Sequence, residues 1–273
     1  MRIAGRAHED DRRRVGQRRR GQDTLCANLA SLYAQQGRRV IVLDLDPQNA
    51  LRLHFGIALD VIEGVSRTTL AEERWVTTLL NGSGEVGVLP YGALNEDDRA
   101  AFERTVDEDP GWLRNGLAGL HMGEDDLLMI DTPPGPTLYL KAALRTCDFA
   151  LNVVLADAAS YATIPMMDRL VATYALPRPD FRGMGYVMNQ VDNGRQLTKD
   201  VVRVLRDSLG DRLYPGLIHL DQGVSEALAY DTTVNRYDPH CQATQDLVGC
   251  AQWLMQNFEA ARPQASTEIA HRA

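Results

Sequence analysis

The sequence predicts an α/β domain built on a mostly parallel central sheet with helices on both faces. Apolar runs of strand length alternate with helical patterns along the chain, which is how parallel strands and their crossover helices are written in sequence. Two of those runs end on aspartates, at the carboxyl ends of strands where such a sheet presents its ligands. The length of 273 residues, with 44% hydrophobic and 24% charged residues, suits one compact domain of this kind.

Taken in order, Leu25, Leu29, Leu32 and Tyr33 recur at helical spacing, and Gly37 stands where a left-handed residue ends a helix. Residues 39–45 (RVIVLDL) read as a buried strand. Further strand-length runs fall at 86–89, 127–130, 149–155, 184–188 and 213–218, most of them bounded by Gly, Pro or Asp. Helical patterns at 161–174 and 198–209 separate several of these. Residues 24–258 are expected to form the domain, and the polar segment 259–273 (EAARPQASTEIAHRA) is read as a disordered tail.

Composition narrows the function classes. No stretch is long and apolar enough for a membrane span, and the arginine-rich start has no apolar core of a secretory signal, so a cytoplasmic protein without a direct membrane anchor is expected. The cysteines Cys26, Cys147, Cys241 and Cys250 show no C-x-x-C spacing, which argues against a disulfide framework or a zinc or iron-sulfur site. Charge is unevenly spread. Eight arginines against three acids leave +5 on the first twenty residues, so the total of −8 places −13 on the rest. A body this acidic is a poor ligand for nucleic-acid phosphates, and no specific nucleic acid is expected as a partner.

Three segments carry chemistry. The first is Asp44-Leu45-Asp46-Pro47-Gln48, at the end of the RVIVLDL strand. Carboxylates two residues apart on an extended segment project to the same side and can reach a bound cation or water. A turn before Pro47 accounts for one aspartate but not for both. The second is the apolar run 127–130 closed by Asp131 and continued by Thr132-Pro133-Pro134-Gly135. A single carboxylate beside substrate phosphates is what Mg²⁺ needs in a nucleotide site, since the ion keeps several of its waters. The third is Gly185 to Asp192 (GYVMNQVD), where the amide of Asn189 comes at the end of a strand. An amide can donate and accept at once, as a purine edge requires; alone, an Asn in this position is more often a turn residue.

In this order the three segments resemble the ParA/MinD family of P-loop ATPases, D-x-D-P-Q matching its switch I and D-T-P-P-G its Walker B segment. The segment after switch I and the end of the chain are similar, more narrowly, to the BcsQ family of cellulose-biosynthesis proteins: Leu51-Arg52-Leu53-His54-Phe55-Gly56, Val88-Leu89-Pro90-Tyr91-Gly92, Ser225-Glu226-Ala227-Leu228-Ala229, Tyr237-Asp238-Pro239 and Trp253. The resemblance implies ATP and Mg²⁺ as cofactors and a homodimer bridged by ATP. It also implies work for the cellulose synthase complex at the inner membrane. By position it implies that Asp46 orients the attacking water, Asp44 supports the Mg²⁺ shell, Asp131 holds Mg²⁺ through water, Thr24 approaches the α-phosphate and Asn189 reads the adenine edge. A partition ATPase of the ParA kind shares every nucleotide motif but needs a basic surface that the acidic body does not offer. A MinD-like membrane-cycling protein would end in a basic amphipathic helix that residues 259–273 do not encode.

One part of the pattern is missing. A G-x-x-x-x-G-K-[ST] loop should precede the helix at Leu25, with backbone N–H groups and a lysine around the phosphates. The chain reads QRRRGQDTLCANLA there, and no lysine occurs before Lys141. The genetic code offers a reason. Gln17 to Asp23 can be encoded CAR-CGN-CGN-CGN-GGN-CAR-GAY, and one base later this permits [N/S]-G-G-V-G-K-T, with Thr24 as the next threonine. From His8-Glu9 the same shifted frame permits M-K-[TM]-[IT] and then a run of Val or Ala, the strand that should feed the loop. Residues 1–23 are therefore read as an out-of-frame segment in place of the first strand and the P-loop. A basic arm for nucleic acid or anionic lipid is the plainer reading of the same arginines. Without the loop and its lysine the chain as it stands is a nucleotide-deficient scaffold, because positioning and electrostatics supply most of phosphoryl-transfer catalysis. Resequencing the locus tests the displaced frame: a lost base, or its equivalent, is expected before the Thr24 codon, and a continuous frame through that point refutes it.

Overall fold

The computed structural model describes residues 9–260, with side chains described from Gly21 onward. Among the described residues there are six strands: β1 (Val40–Asp44), β2 (Leu80–Asn81), β3 (Val86–Leu89), β4 (Leu127–Asp131), β5 (Phe149–Leu155) and β6 (Gly183–Asn189). The helices are α1 (Glu9–Gln35), α2 (Val65–Leu70), α3 (Glu96–Glu108), α4 (Trp112–Ala118), α5 (Leu138–Leu144), α6 (Ala158–Tyr174), α7 (Gln196–Leu209), α8 (Gln222–Ala229), α9 (Val234–Tyr237) and α10 (Gln242–Ala260).

The expected α/β class is what forms, with parallel pairing throughout except at the short β2, which runs antiparallel to β3. Strand order is β2-β3-β1-β4 in one sheet and β5-β6 in another. β1 is buried along its whole length, as a parallel strand covered on both faces should be. Val40 and Val42 face α1 and α10, in a core completed by Leu25, Leu29 and Leu247. Ile41 and Leu43 face the opposite layer of α3, α4 and α5. That layer is closed by edge-to-face aromatic contacts of Phe102 with Tyr91 and Trp112, ring centroids 5.6 and 5.4 Å apart. The Tyr91 and Tyr139 hydroxyls hydrogen-bond at 2.8 Å inside it.

Three differences from the sequence-based expectation matter for the site. The helix expected from Leu25 begins at Glu9, so residues 9–23 continue α1 and no strand precedes it among the described residues. It ends as expected, with Gly37 at φ +83° and its N–H donating to the Ala34 carbonyl at 2.9 Å. The run 213–218 is not a strand. Its Tyr214 and Ile218 amides bond the β6 carbonyls of Tyr186 and Met188 at 2.8 and 3.0 Å, but Pro215-Gly216 between them breaks the ladder into isolated bridges. Most consequentially, the sheet is in two pieces. β4 pairs only with β1 and β5 only with β6 among the described residues, and a cavity of about 1180 Å³ lies between them. At the far end, Glu259 and Ala260 still belong to α10, and the expected disorder of 261–273 lies outside the described residues.

Candidate functional site

The carboxyl ends of β1 and β4 bring the first two motifs together. Asp44 and Asp131 are register partners, and the Leu45 amide donates to the Asp131 carbonyl at 2.9 Å, locking the two strand ends side by side. Asp44 is fully buried and Asp131 is 7% exposed. The two oxygens of Asp44 accept from the backbone N–H groups of Asp46 at 2.9 Å and Leu51 at 3.1 Å, so this carboxylate also builds the turn after β1. Asp46, half-buried at the rim, accepts from the Gln48 N–H at 2.9 Å. From α1, Asp23 adds a third buried carboxyl, 8% exposed, which belongs to none of the three sequence motifs.

Burial and mutual repulsion dominate the electrostatics. Desolvation, outweighing the two backbone hydrogen bonds, pushes Asp44 up to about 7. Burial raises Asp131 well above the usual carboxylate range, and Asp44, Asp23 and Asp46 add to the shift. Burial raises the Cys26 thiol too, helped by Asp131, Asp44 and Asp23. Among the described residues, the charges that shift these groups are of one sign.

Asn189, at the end of β6, is 6% exposed; its amide donates to the Gly21 carbonyl at 3.2 Å and its oxygen accepts from the Gln190 N–H at 3.0 Å. The group expected to read an adenine edge is thus engaged by the backbone of α1. Thr24 is half-buried on the same helix, where its carbonyl accepts from the Asn28 side chain at 2.7 Å. Lys141 sits on α5 and pairs with Asp107 at 2.7 Å, so it does not serve the aspartates.

Two further residues brace the switch segment. Asn49, at φ +54°, accepts from the Tyr91 N–H at 3.0 Å, tying the turn after β1 to the end of β3. The buried Arg52 donates to the Asn49, Val61 and Leu59 carbonyls and fixes the loop beyond it. Arg52 lies within the L-R-L segment singled out in the sequence, but its partners are carbonyls, which a sequence does not mark. His54, also from that segment, is buried, and burial lowers its pKa to about 4.

The residues present fit one half of a Mg²⁺-nucleotide site. No group of three or more His, Cys, Asp or Glu among the described residues could hold a metal ion by itself. Mg²⁺ beside phosphates needs only one or two carboxylates, and Asp131 with Asp44 could supply them. The phosphate half does not fit. Residues 17–24 lie inside α1, where backbone N–H groups point along the helix to carbonyls and do not turn outward as a cradle.

Because burial pushes Asp44 up to about 7 and raises Asp131 well above the usual carboxylate range, the folded state holds more protons than the unfolded state from about pH 4 up through these folded values. Stability is therefore expected to fall as pH rises through that range. Asp131→Asn removes one of these charges. Chemical denaturation at pH 8 should find the variant more stable than the parent, on the order of 1–3 kcal/mol, with the difference vanishing near pH 4. Equal or lower stability of the variant at pH 8 contradicts this electrostatic account.

Comparison with known proteins agrees with the geometry. The family model described as "Cellulose biosynthesis protein BcsQ" matches residues 16–255. The Cellulose biosynthesis protein BcsQ of Escherichia coli K12 is 26% identical over 246 residues, covering 87% of this chain and 90% of that protein. The chromosome partitioning protein ParA of Myxococcus xanthus is 24% identical over 241 residues, covering 86% and 83%. Among solved structures, the septum site-determining protein MinD of Pyrococcus horikoshii, complexed with Mg-ADP, superposes with a TM-score of 0.69 at 18% identity, covering 88% of this chain and 93% of that one. Cobyrinic acid a,c-diamide synthase of Mycobacterium smegmatis, with bound ATP analog and magnesium, gives 0.70 at 19% identity, covering 88% and 91%. The fold is thus that of the MinD-like ATPases, and the chain belongs to the BcsQ family of cellulose biosynthesis proteins.

Proposed function

We propose that the gene encodes a MinD/ParA-like ATP hydrolase that supports bacterial cellulose biosynthesis, and that this chain is a nucleotide-deficient form of it, with residues 1–23 read out of frame. The observation that carries the reading is the pair Asp44 and Asp131, side by side and buried at the carboxyl ends of β1 and β4. Such a pair is costly to hold ionised and is useful where a divalent ion and phosphates arrive together.

In the in-frame product a restored loop would bring a lysine and backbone N–H groups to that end of the sheet. Asp131 and Asp44 would be the residues that hold Mg²⁺, which would supply charge neutralisation at the phosphates, and Asp46 at the rim would orient the attacking water. Thr24 would lie toward the α-phosphate, and Asn189, released from the Gly21 carbonyl, would read the adenine edge. An ATP-dependent homodimer would present a surface that reports nucleotide state to the cellulose synthase complex. The protein works in the cytoplasm against the inner membrane through those partners; among the described residues no helix is long and apolar enough to cross a membrane.

A strain lacking this gene tests the proposal. Complementation with the frame-restored gene is expected to restore cellulose production, while the gene as it stands is not. In the restored protein, Asp131→Asn should lower ATP hydrolysis about 10–100-fold, as loss of an outer-sphere metal contact does. Full complementation by the unaltered gene refutes the claim of a lost function, and full hydrolysis by the restored Asp131→Asn protein refutes the metal role.

A further inference from the structure

Tyr91 is a fixed point in the turn that follows β3. It is 2% exposed, and each of its hydrogen-bonding groups has a partner. Its N–H donates to Asn49 Oδ1 at 3.0 Å, and its carbonyl accepts from the Ser66 N–H at 3.0 Å and the Ser66 hydroxyl at 2.6 Å. Its hydroxyl meets that of Tyr139 at 2.8 Å. The flanking backbone is equally confined. The Val65 N–H donates to the Pro90 carbonyl at 2.9 Å, and a Cβ at Gly64 would collide with the backbone of Gly92. Two segments hang from this point, and each follows one of the paired aspartates.

The first segment carries Asp46. Asn49, whose side chain accepts from Tyr91, stands at φ +54°, a left-handed conformation that a non-glycine residue keeps where its surroundings hold it. The Asn49 N–H donates to the Asp46 carbonyl at 2.8 Å, and the Asp46 N–H donates to Asp44 Oδ1 at 2.9 Å. The backbone of Asp46 is thus placed by Asp44 on one side and by Tyr91, through Asn49, on the other.

The second segment follows Asp131. Residues 132–137 lead from β4 into α5, whose N-cap is Thr137 and whose second residue is Tyr139. Tyr139 is 3% exposed and lies edge-to-face with Tyr91, ring centroids 5.8 Å apart. Its hydroxyl donates to Glu103 Oε1 of α3 at 3.3 Å. A carboxylate accepts only and a hydroxyl has one proton, so the direction of both bonds follows: Tyr91 donates to Tyr139, and Tyr139 to Glu103. Phe102 packs on both rings, at 5.6 Å from Tyr91 and 6.3 Å from Tyr139, and holds them in place independently of their hydroxyls.

The geometry points to Tyr91 as a positioning residue that sets Asp46 and the segment after Asp131 relative to one another, with Asn49 and Tyr139 as its two arms. It acts through these arms and is no part of the carboxylate pair. For hydrolysis the consequence rests on the proposed function: a water oriented by Asp46 is productive only if the groups that follow Asp131 stand at a set distance from it, and small misplacements are costly in rate.

The anchor is tested on the chain as it stands by amide hydrogen exchange of Tyr91→Phe, Tyr139→Phe and the double variant. These changes keep the packed rings and remove one or both hydroxyls. Each single variant is expected to speed exchange at the Leu140 and Lys141 amides of α5 about fivefold, the worth of one such hydrogen bond. The double variant should do no more than either single one, because both remove the same bond. Amides of Val42 and Met129 in the sheet interior should be unchanged. Unchanged exchange at α5, multiplying effects in the double variant, or equal acceleration in the sheet overturns the proposal. In the frame-restored protein, Tyr139→Phe should lower kcat about tenfold and leave KM as it was, whereas an unchanged kcat overturns the positioning role. A restored parent that does not hydrolyse ATP sinks the proposed function instead, and the exchange result then decides the anchor alone.

Discussion

Everything at the functional end of this molecule depends on the register of β1 against β4, which sets Asp44 beside Asp131 in a dry place. Water would screen such carboxylates, but here burial raises both, Asp44 adds to the rise at Asp131, and Asp23 and Asp46 add to it at both. Backbone N–H groups relieve part of the cost at Asp44. A fold retains an arrangement of this kind where a cation belongs to it, and the described residues bring no lysine or arginine there to supply one.

On the proposed reading the missing charge and the missing strand are one lesion. In a strand-loop-helix unit the strand sets the loop and the loop starts the helix, so losing the sequence of the first two leaves the third. The described residues accord with that reading: a helix in its expected place from Leu25 onward, continued on its N-terminal side by residues 9–24, and a gap between β4 and β5. The Asn189 amide, which the proposed function assigns to the adenine edge, is satisfied here by the Gly21 carbonyl.

Much of this is legible in the sequence. The run 149–155 is β5 to the residue, and the aspartates that close 39–45 and 127–130 fall at adjacent strand ends, because apolar length and a terminal carboxylate are local signals. The family match spanning residues 16–255 agrees with the resemblance drawn from the same motifs. The features that are not legible are non-local. Residues 213–218 have the composition of a strand, but Pro215 and Gly216 decide against it only where they meet the edge of β6. Arg52 and Asn49 act through backbone carbonyls and an amide that no residue type announces. The split sheet cannot be read from β4 or β5 either, since a strand lacking its neighbour has the same sequence as one that has it.

Calorimetric titration of Mg²⁺-ATP tests the central claim most directly, run on the chain as it stands and on one in which residues 8–23 are replaced by their shifted-frame reading. No measurable binding is predicted for the first and saturable binding for the second. Tight binding by the unaltered chain would show that the site is complete without the missing strand and loop, and would contradict the claim.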